Sequence, residues 1–198
     1  MDLTEKMLYS KKMFSGKLLQ VYKDRVTLPN GEAATREIVR HPGGACVCAV
    51  DSDLNITFVR QFRYAYGMEV LELPAGKLEN GEEPYYAAAR ELREEAGLVT
   101  DDMIPLGELY PSPGYTDEII YMFLAFNPER CGQKLDTDEF VTLERIGVGD
   151  AVNMVLNGEI HDAKTQACVL KAYMLLEYLS SQEEEAEEEA EHGDKGEV

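Results

Sequence analysis

The stretch from Pro84 to Gly97 leaves the chain little choice of local structure. A proline suits the first turn of a helix, where its missing N–H costs nothing. A glycine suits the position just past the end. Between them Ala88, Leu92 and Ala96 recur at every fourth residue and form an apolar stripe. Glu91 and Glu95 are also four apart and Glu94 is three from Glu91, so three carboxylates crowd one side of two turns. Like charges at that spacing destabilise a helix by about 0.2–0.5 kcal/mol per pair. Solvation absorbs that cost on a bare acidic face, which is the blander reading of these residues. A divalent cation would turn the repulsion into coordination. Mg²⁺ takes oxygen ligands, keeps several waters and binds through a few carboxylates together with substrate phosphates. The loop from Gly76 to Gly81, with Glu82 just after it, makes such a site plausible at the head of the helix.

Net charge limits the partners. The chain carries 19 basic and 38 acidic residues in 198, for a formal −19. The final stretch Ser181–Val198 holds nine acids and one lysine, which leaves −11 for the rest. An acidic body argues against nonspecific nucleic-acid binding, which depends on lysine and arginine neutralising phosphates. An anionic substrate must then be met by metal ions or a few placed arginines. No run approaches the roughly 20 apolar residues of a membrane span. The N-terminus, Met1-Asp2-Leu3-Thr4-Glu5-Lys6, lacks the basic stretch and apolar core of a signal peptide, so a cytoplasmic location is expected. Cys46, Cys48, Cys131 and Cys168 show no zinc spacing and read as reduced thiols, with Cys46 and Cys48 on the same side of a strand. His41, His161 and His192 show neither triad nor metal spacing and read as structural or exposed.

Along the chain, Leu18–Tyr22 and Asp24–Leu28 read as short strands, and Pro29-Asn30-Gly31 as a turn into a paired strand over Ala34–Val39. His41-Pro42-Gly43-Gly44 breaks the chain. Further strands are expected over Ala45–Val50, Ile56–Arg63, Glu69–Leu73, Met103–Tyr110, Ile119–Phe126 and Phe140–Ile146. Asp150 is expected to cap a helix that Asn157-Gly158 ends, and Asp162 a second helix running to about Leu179. The tail Glu183–Glu197 reads as disordered or as a frayed extension of that helix, solubilising rather than interacting. Strands, helix, strands and helices in this order give an α+β plan with a mixed sheet and helices on its faces. Three regions are expected: a β-rich segment over 1–40, a body over 41–181 and an acidic tail over 182–198.

Spacing lifts the helix above a solvated face. Gly76-x5-Glu82-x7-Arg90-Glu91-Leu92-x-Glu94-Glu95-x-Gly97-Leu98 matches all nine specified positions of the Nudix hydrolase signature across 23 residues. The resemblance extends from about Asp24 to Tyr178, through Leu28-Pro29-Asn30-Gly31, Arg36-Glu37, His41-Pro42-Gly43, Glu72-Leu73-Pro74-Ala75-Gly76 and Asn157-Gly158-Glu159-Ile160 to Thr165. These stretches look like the ADP-ribose pyrophosphatase branch of the family. Members of that branch carry a proline about sixteen residues past the closing glycine. Here Pro113 lies sixteen beyond Gly97, in Ser112-Pro113-Gly114-Tyr115-Thr116-Asp117-Glu118.

The resemblance implies a Nudix-type α/β/α sandwich with a mixed central sheet and an N-terminal β-hairpin region. It implies Mg²⁺, with Mn²⁺ as a substitute, held by Glu91 and Glu95, with Glu94 a ligand or a support and Ala75 offering its carbonyl. Glu82 and Arg90 would orient those carboxylates, Gly76 and Gly97 would serve backbone geometry, and Leu92 and Leu98 packing. A catalytic base or further ligand would come from the loop after the helix, with Glu139 chosen over Asp136, Asp138 and Glu144. Arg36, Glu37, Arg60, Arg63, Pro113, Gly114 and Glu118 match positions that contact substrate. Arg63 is attractive because a guanidinium grips phosphate with two prongs. Tyr9, Tyr22, Tyr64 and Tyr66 all stand open as the aromatic stacking on adenine. The N-terminal strands resemble a part that exchanges with a second subunit, so a homodimer is implied. The expected reaction is Mg²⁺-dependent hydrolysis of the pyrophosphate bond of a nucleoside diphosphate derivative, foremost ADP-ribose to AMP and ribose 5-phosphate. A nucleotide-sugar pyrophosphatase and a noncatalytic nucleotide-sensing module are the other readings.

Overall fold

The structure is a computed structural model that describes residues 2–135, 137 and 139–193. It opens with three antiparallel strands, β1 (Lys6–Ser15), β2 (Gln20–Thr27) and β3 (Ala33–Arg40), which form a sheet of their own. The body follows with β4 (Gly44–Val50), β5 (Asn55–Arg63), β6 (Met68–Glu72), β7 (Ala75–Lys77) and α1 (Pro84–Ala96). Then come β8 (Leu98–Val99), β9 (Ile104–Leu109), β10 (Ile120–Phe126), β11 (Glu129–Arg130) and β12 (Val141–Gly147). Two helices, α2 (Val148–Leu156) and α3 (Ala163–Gly193), close the order. This is the mixed α+β architecture expected. None of its described helices is long and apolar enough to cross a membrane.

The central sheet runs β12-β5-β4-β10-β9, with β4 and β10 parallel and the other neighbours antiparallel. The β4 strand reads Gly-Ala-Cys-Val-Cys-Ala-Val and is buried throughout. A strand sends successive side chains to opposite faces, and here the alternation divides two cores. Ala45, Val47 and Ala49 pack with Ala87, Ala88, Leu92 and Ala96 of α1. Cys46, Cys48 and Val50 pack on the other face with Val148 and Ala151 of α2 and Cys168, Val169 and Ala172 of α3. The small side chains on the α1 face let that helix sit close to the sheet.

A fork in the sheet positions the site. Strands β4 and β5 pair only through Ala49↔Thr57 and Val50↔Ile56. Beyond that point they diverge, and β6 pairs with β5 while β7 pairs with β4. The connecting residues stay tied at the fork: the Val47 N–H donates to the Pro74 carbonyl at 3.0 Å. The segment from Glu72 to Gly76 therefore emerges at the fork, with Glu72 and Leu73 bonded to α3 and Ala75 bonded to α1.

Several details differ from the sequence reading. The two short strands expected over 18–28 are one strand, β2. The β1 strand was not legible, because all ten of its residues are exposed and no inward face imprints a pattern. Asp150 lies in the first turn of α2, whose N-cap is Gly147 without a side-chain cap. Phe140 is 83% exposed and precedes β12 instead of opening it. Asp162 does cap α3, accepting the Thr165 N–H at 2.9 Å. That helix continues past Leu179 to Gly193, and the last five residues lie outside those described.

The turn between β4 and β5 depends on one carboxylate. Asp51 Oδ1 accepts the N–H groups of Asp53 and Asn55 at 3.0 Å each, and Oδ2 takes Arg145 of β12. Burial raises the Asp51 carboxyl, but the Arg145 guanidinium and the backbone donors outweigh it and pull it to about 2. A depressed folded-state value adds stability above the unfolded value near 4 and loses it as pH falls through the folded value. The stability difference between the wild type and Asp51→Asn should thus be on the order of 1 kcal/mol at pH 6, allowing for solvent screening. It should shrink steadily between about pH 4 and pH 2, as measured by urea unfolding at each pH.

Candidate active site

Arg90 organises the head of α1. Its Nε and Nη2 donate to the two oxygens of Glu82 at 3.0 Å each, Nη2 also to the Lys77 carbonyl at 3.0 Å, and Nη1 to Glu91 Oε1 at 2.7 Å and Glu94 Oε2 at 3.2 Å. One guanidinium thus fastens the loop from Lys77 to Glu82 onto the helix. The spacing of Glu82, Arg90 and Glu91 follows from that knot. Bonding to Arg90 holds the Glu82 carboxyl below its ordinary range.

Glu91 and Glu95 are both buried on the inner side of the helix, although both are acids. Glu95 Oε2 accepts the Ala75 N–H at 2.8 Å. Burial pushes the Glu95 carboxyl up to about 7; the Ala75 N–H opposes this, and the charges of Glu91 and Glu139 add to it. Burial likewise raises Glu91 against the pull of Arg90, with Glu94 and Glu139 contributing. Such a pair is costly to bury without a compensating charge. Gly76 exists to let Glu91 in: a Cβ built there would sit 1.8 Å from Glu91 Oε1. Gly97 closes the helix at φ 64°, where a Cβ would collide with Gln133 N at 2.6 Å, so the chain passes too close for any side chain.

These groups open on a cleft of about 560 Å³ at the fork of the sheet. Ala75, Gly76, Glu91 and Glu95 line it from the α1 side, Arg63 and Gln61 from β5, Glu118 and Pro111 from the loop before β10, and Glu139 from the loop before β12. Asp162, Ala163 and Lys164 line it from the start of α3. Among the described residues no three His, Cys, Asp or Glu side chains converge as a closed metal cage. The donor set present, two buried carboxylates with the Ala75 backbone beside them, suits an ion that keeps waters and takes further oxygens from a phosphate.

Other expected site residues lie elsewhere. Glu94 turns outward to Arg90 and lines a separate surface hollow with Arg93 and Lys134. Arg36 pairs with Glu5 on the N-terminal sheet, and neither it nor its neighbour Glu37 lines the cleft. Arg60 pairs with Glu144 across β5 and β12, which also takes Glu144 away from the cleft. Pro113 and Gly114 lie in a loop tied to the end of β3, where the Val39 N–H donates to the Tyr115 carbonyl at 2.7 Å. Only the ends of that loop, Pro111 and Glu118, reach the cleft. Asp136 and Asp138 are outside the described residues. Polar cleft residues not expected from the sequence include Gln61, Lys77, Lys164 and, as more than a cap, Asp162. His41 is structural, its Nδ1 accepting the Gly43 N–H at 3.1 Å, and it too borders the cleft. Lysine beside a capping aspartate was the available signal at α3.

Comparison with known proteins identifies the family. The family model described as "NUDIX domain" matches residues 40–167. This chain belongs to the NUDIX family. It is 43% identical over 183 residues to the ADP-ribose pyrophosphatase of Bacillus subtilis (strain 168), covering 91% of this chain and 98% of that one. It is 38% identical over 181 residues to the methanol dehydrogenase activator of Bacillus methanolicus, covering 90% and 94%. Among solved structures, one described as an ADP compounds hydrolase superposes with a TM-score of 0.77 over 92% of this chain and 98% of that one, at 21% identity. That likeness bears on the fold alone.

The fit of Gly76 against Glu91 yields a direct check. The clash from Gly76→Ala falls on the end of a flexible side chain, so the carboxylate would swing away while the fold stays within about 1 kcal/mol of wild type by urea unfolding. If Glu91 holds a divalent ion, Mg²⁺ binding measured by calorimetry should weaken at least tenfold.

Proposed function

We propose that this protein is a Mg²⁺-dependent hydrolase of the pyrophosphate bond in nucleoside diphosphate derivatives, with ADP-ribose the preferred substrate and AMP and ribose 5-phosphate the products. The observation that carries this reading is the buried pair Glu91 and Glu95 at the mouth of a cleft that also presents Arg63 and Lys164. The similarity to an ADP-ribose pyrophosphatase over nearly the whole chain supports the choice of substrate.

Each residue has a task. Glu91 and Glu95, with the Ala75 carbonyl, would hold Mg²⁺ or Mn²⁺, and Glu94 would support them through Arg90. When bound, such an ion would screen the diphosphate and lower the cost of charge on the departing phosphate. Glu139 is the base: it lines the same cleft, and its charge is felt by both Glu91 and Glu95. It takes a proton from the water that attacks one phosphorus, and the bridging P–O bond breaks. Arg63 receives a phosphate oxygen, and Glu118 helps to orient the ligand from the opposite loop.

The assembly is proposed to be a homodimer formed through the region 1–40. The β1 strand exposes Met7, Leu8, Tyr9, Met13 and Phe14, an apolar surface too large for a lone strand to leave in water. Arg36, Glu37, Arg60, Pro113 and Gly114 stand outside the cleft of one chain, and a partner subunit is the means by which they would reach substrate. The body over 41–181 holds the chemistry, and the segment 182–198 is an acidic appendage. The enzyme is proposed to work in the cytoplasm, on small molecules and not on nucleic acid.

Incubation with ADP-ribose, GDP-mannose, UDP-glucose, NAD and 8-oxo-dGTP, with and without Mg²⁺, tests the reading. Phosphomonoester products should form only with metal and fastest from ADP-ribose. Turnover of none would overturn the enzyme assignment, and preference for the triphosphate the substrate class. Glu95→Gln, which removes ligand charge while keeping shape, should lower kcat by about a hundredfold or more.

A further inference from the structure

A third carboxylate lies buried beside the cleft, on β6 and apart from the α1 helix. Glu72 is only 2% exposed. Both of its oxygens are engaged by Arg63, Nε to Oε1 and Nη2 to Oε2 at 2.6 Å each, and Oε2 also accepts Lys164 Nζ at 2.5 Å. Lys164 reaches on to Asp162 Oδ2 at 3.0 Å. That same oxygen accepts the Thr165 N–H and hydroxyl, and the Thr165 hydroxyl oxygen accepts the Leu73 N–H at 2.9 Å. The chain of bonds therefore runs from Arg63 on β5, through Glu72, to the first turn of α3 and back to the residue after Glu72. Burial alone would raise the Glu72 carboxyl, but Arg63 and Lys164 outweigh it and hold it below its ordinary range.

This arrangement resolves a conflict built into the cleft. Arg63 is 41% exposed and stands where it feels not only Glu72 but also Glu95. A guanidinium left to itself among carboxylates would pair with whichever is most available. If it paired with Glu95, it would neutralise a metal ligand and lose its own capacity to meet a phosphate. The two-pronged bond to Glu72 occupies Nε and Nη2 and leaves the N–H groups of Nη1 outside the pair. Apolar side chains would secure this wall as well as a buried ion pair does. An ionic triad there is better explained by the need to aim a charge.

We propose that Glu72, braced by Lys164 and the cap of α3, is a positioning residue that holds Arg63 toward the substrate phosphate and away from Glu95. The inference rests on the reading of this cleft as a metal–diphosphate site and adds to it the device that keeps its cation and its metal ligands apart.

The test is a double-mutant cycle read in two ways. Mg²⁺ affinity is measured by calorimetry without substrate on the full-length wild type, Glu72→Gln, Arg63→Met and the double variant. Glu72→Gln should weaken Mg²⁺ binding about tenfold, because the released guanidinium competes for Glu95. Arg63→Met alone should leave Mg²⁺ affinity within about threefold of wild type. Adding Arg63→Met to Glu72→Gln should restore Mg²⁺ affinity to within about threefold of wild type, a rescue that a merely structural role for Glu72 would not give. In turnover, Glu72→Gln and Arg63→Met should each raise KM about tenfold with kcat changed less than threefold, and the double variant should resemble Arg63→Met, since the two act as a unit. Should Glu72→Gln fail to fold, Glu72→Asp, which keeps the charge but shortens the reach, takes its place, with a loss of at least threefold and the same rescue expected. No loss of Mg²⁺ affinity on changing Glu72, a double variant as weak as Glu72→Gln, or KM effects that multiply would overturn the inference. A wild type that binds no Mg²⁺ would instead overturn the metal-site reading on which it stands.

Discussion

The bond from the Ala75 N–H to Glu95 joins the two halves of this site. Ala75 begins β7, which is wedged into the fork between β4 and β5, and Glu95 sits in the last turn of α1. The bond fixes a buried carboxylate against the backbone segment whose carbonyl is proposed to share a metal with it. It is also the point at which the sheet and the helix must agree in register. A shift of either by one residue would turn the glutamates away and bring apolar atoms to the cleft. Much of the body can be understood as securing that agreement. The small residues of β4 admit α1, Arg90 fastens the preceding loop, and Gly76 leaves room for Glu91.

Charge is placed with equal economy. The chain is strongly acidic, yet its ligand carries phosphate, so attraction cannot come from the field of the whole molecule. It must come from ions and from a few cations fixed close by. The cleft keeps these on separate walls. Glu91 and Glu95 stand on the α1 face of the sheet, while Lys164 and Asp162 enter from α3 on the other. Arg63, on the strand between, is held to the second group by Glu72.

The sequence made the helix and its carboxylates legible because their rules are local. Pro84 and Gly97 mark the ends, and the interval from Gly76 to Leu98 reports a loop folded back on one turn of helix by one arginine. The α+β order was legible as well, since β4 and β10 are apolar runs and α3 announces its cap. What escaped reading depends on distant pairing. The β1 strand has no buried face to pattern it. Arg60 and Arg63 sit three residues apart on β5 and so leave opposite faces of it, and β12 supplies Glu144 to one while β6 supplies Glu72 to the other. Only the fold decides which arginine faces the cleft. Lys164 was hidden for the same reason, because its position depends on where α3 starts relative to β6.

The central claim is that Glu91, Glu95 and the Ala75 carbonyl form a divalent-metal site. It is tested most directly by soaking crystals of the wild-type protein in Mn²⁺ and locating the ion by its anomalous scattering. The account predicts a peak within about 2.0–2.3 Å of an oxygen from each of the three, with the remaining positions filled by water. A peak at another place, or none at this one while Mn²⁺ supports activity in the same crystals, would contradict it.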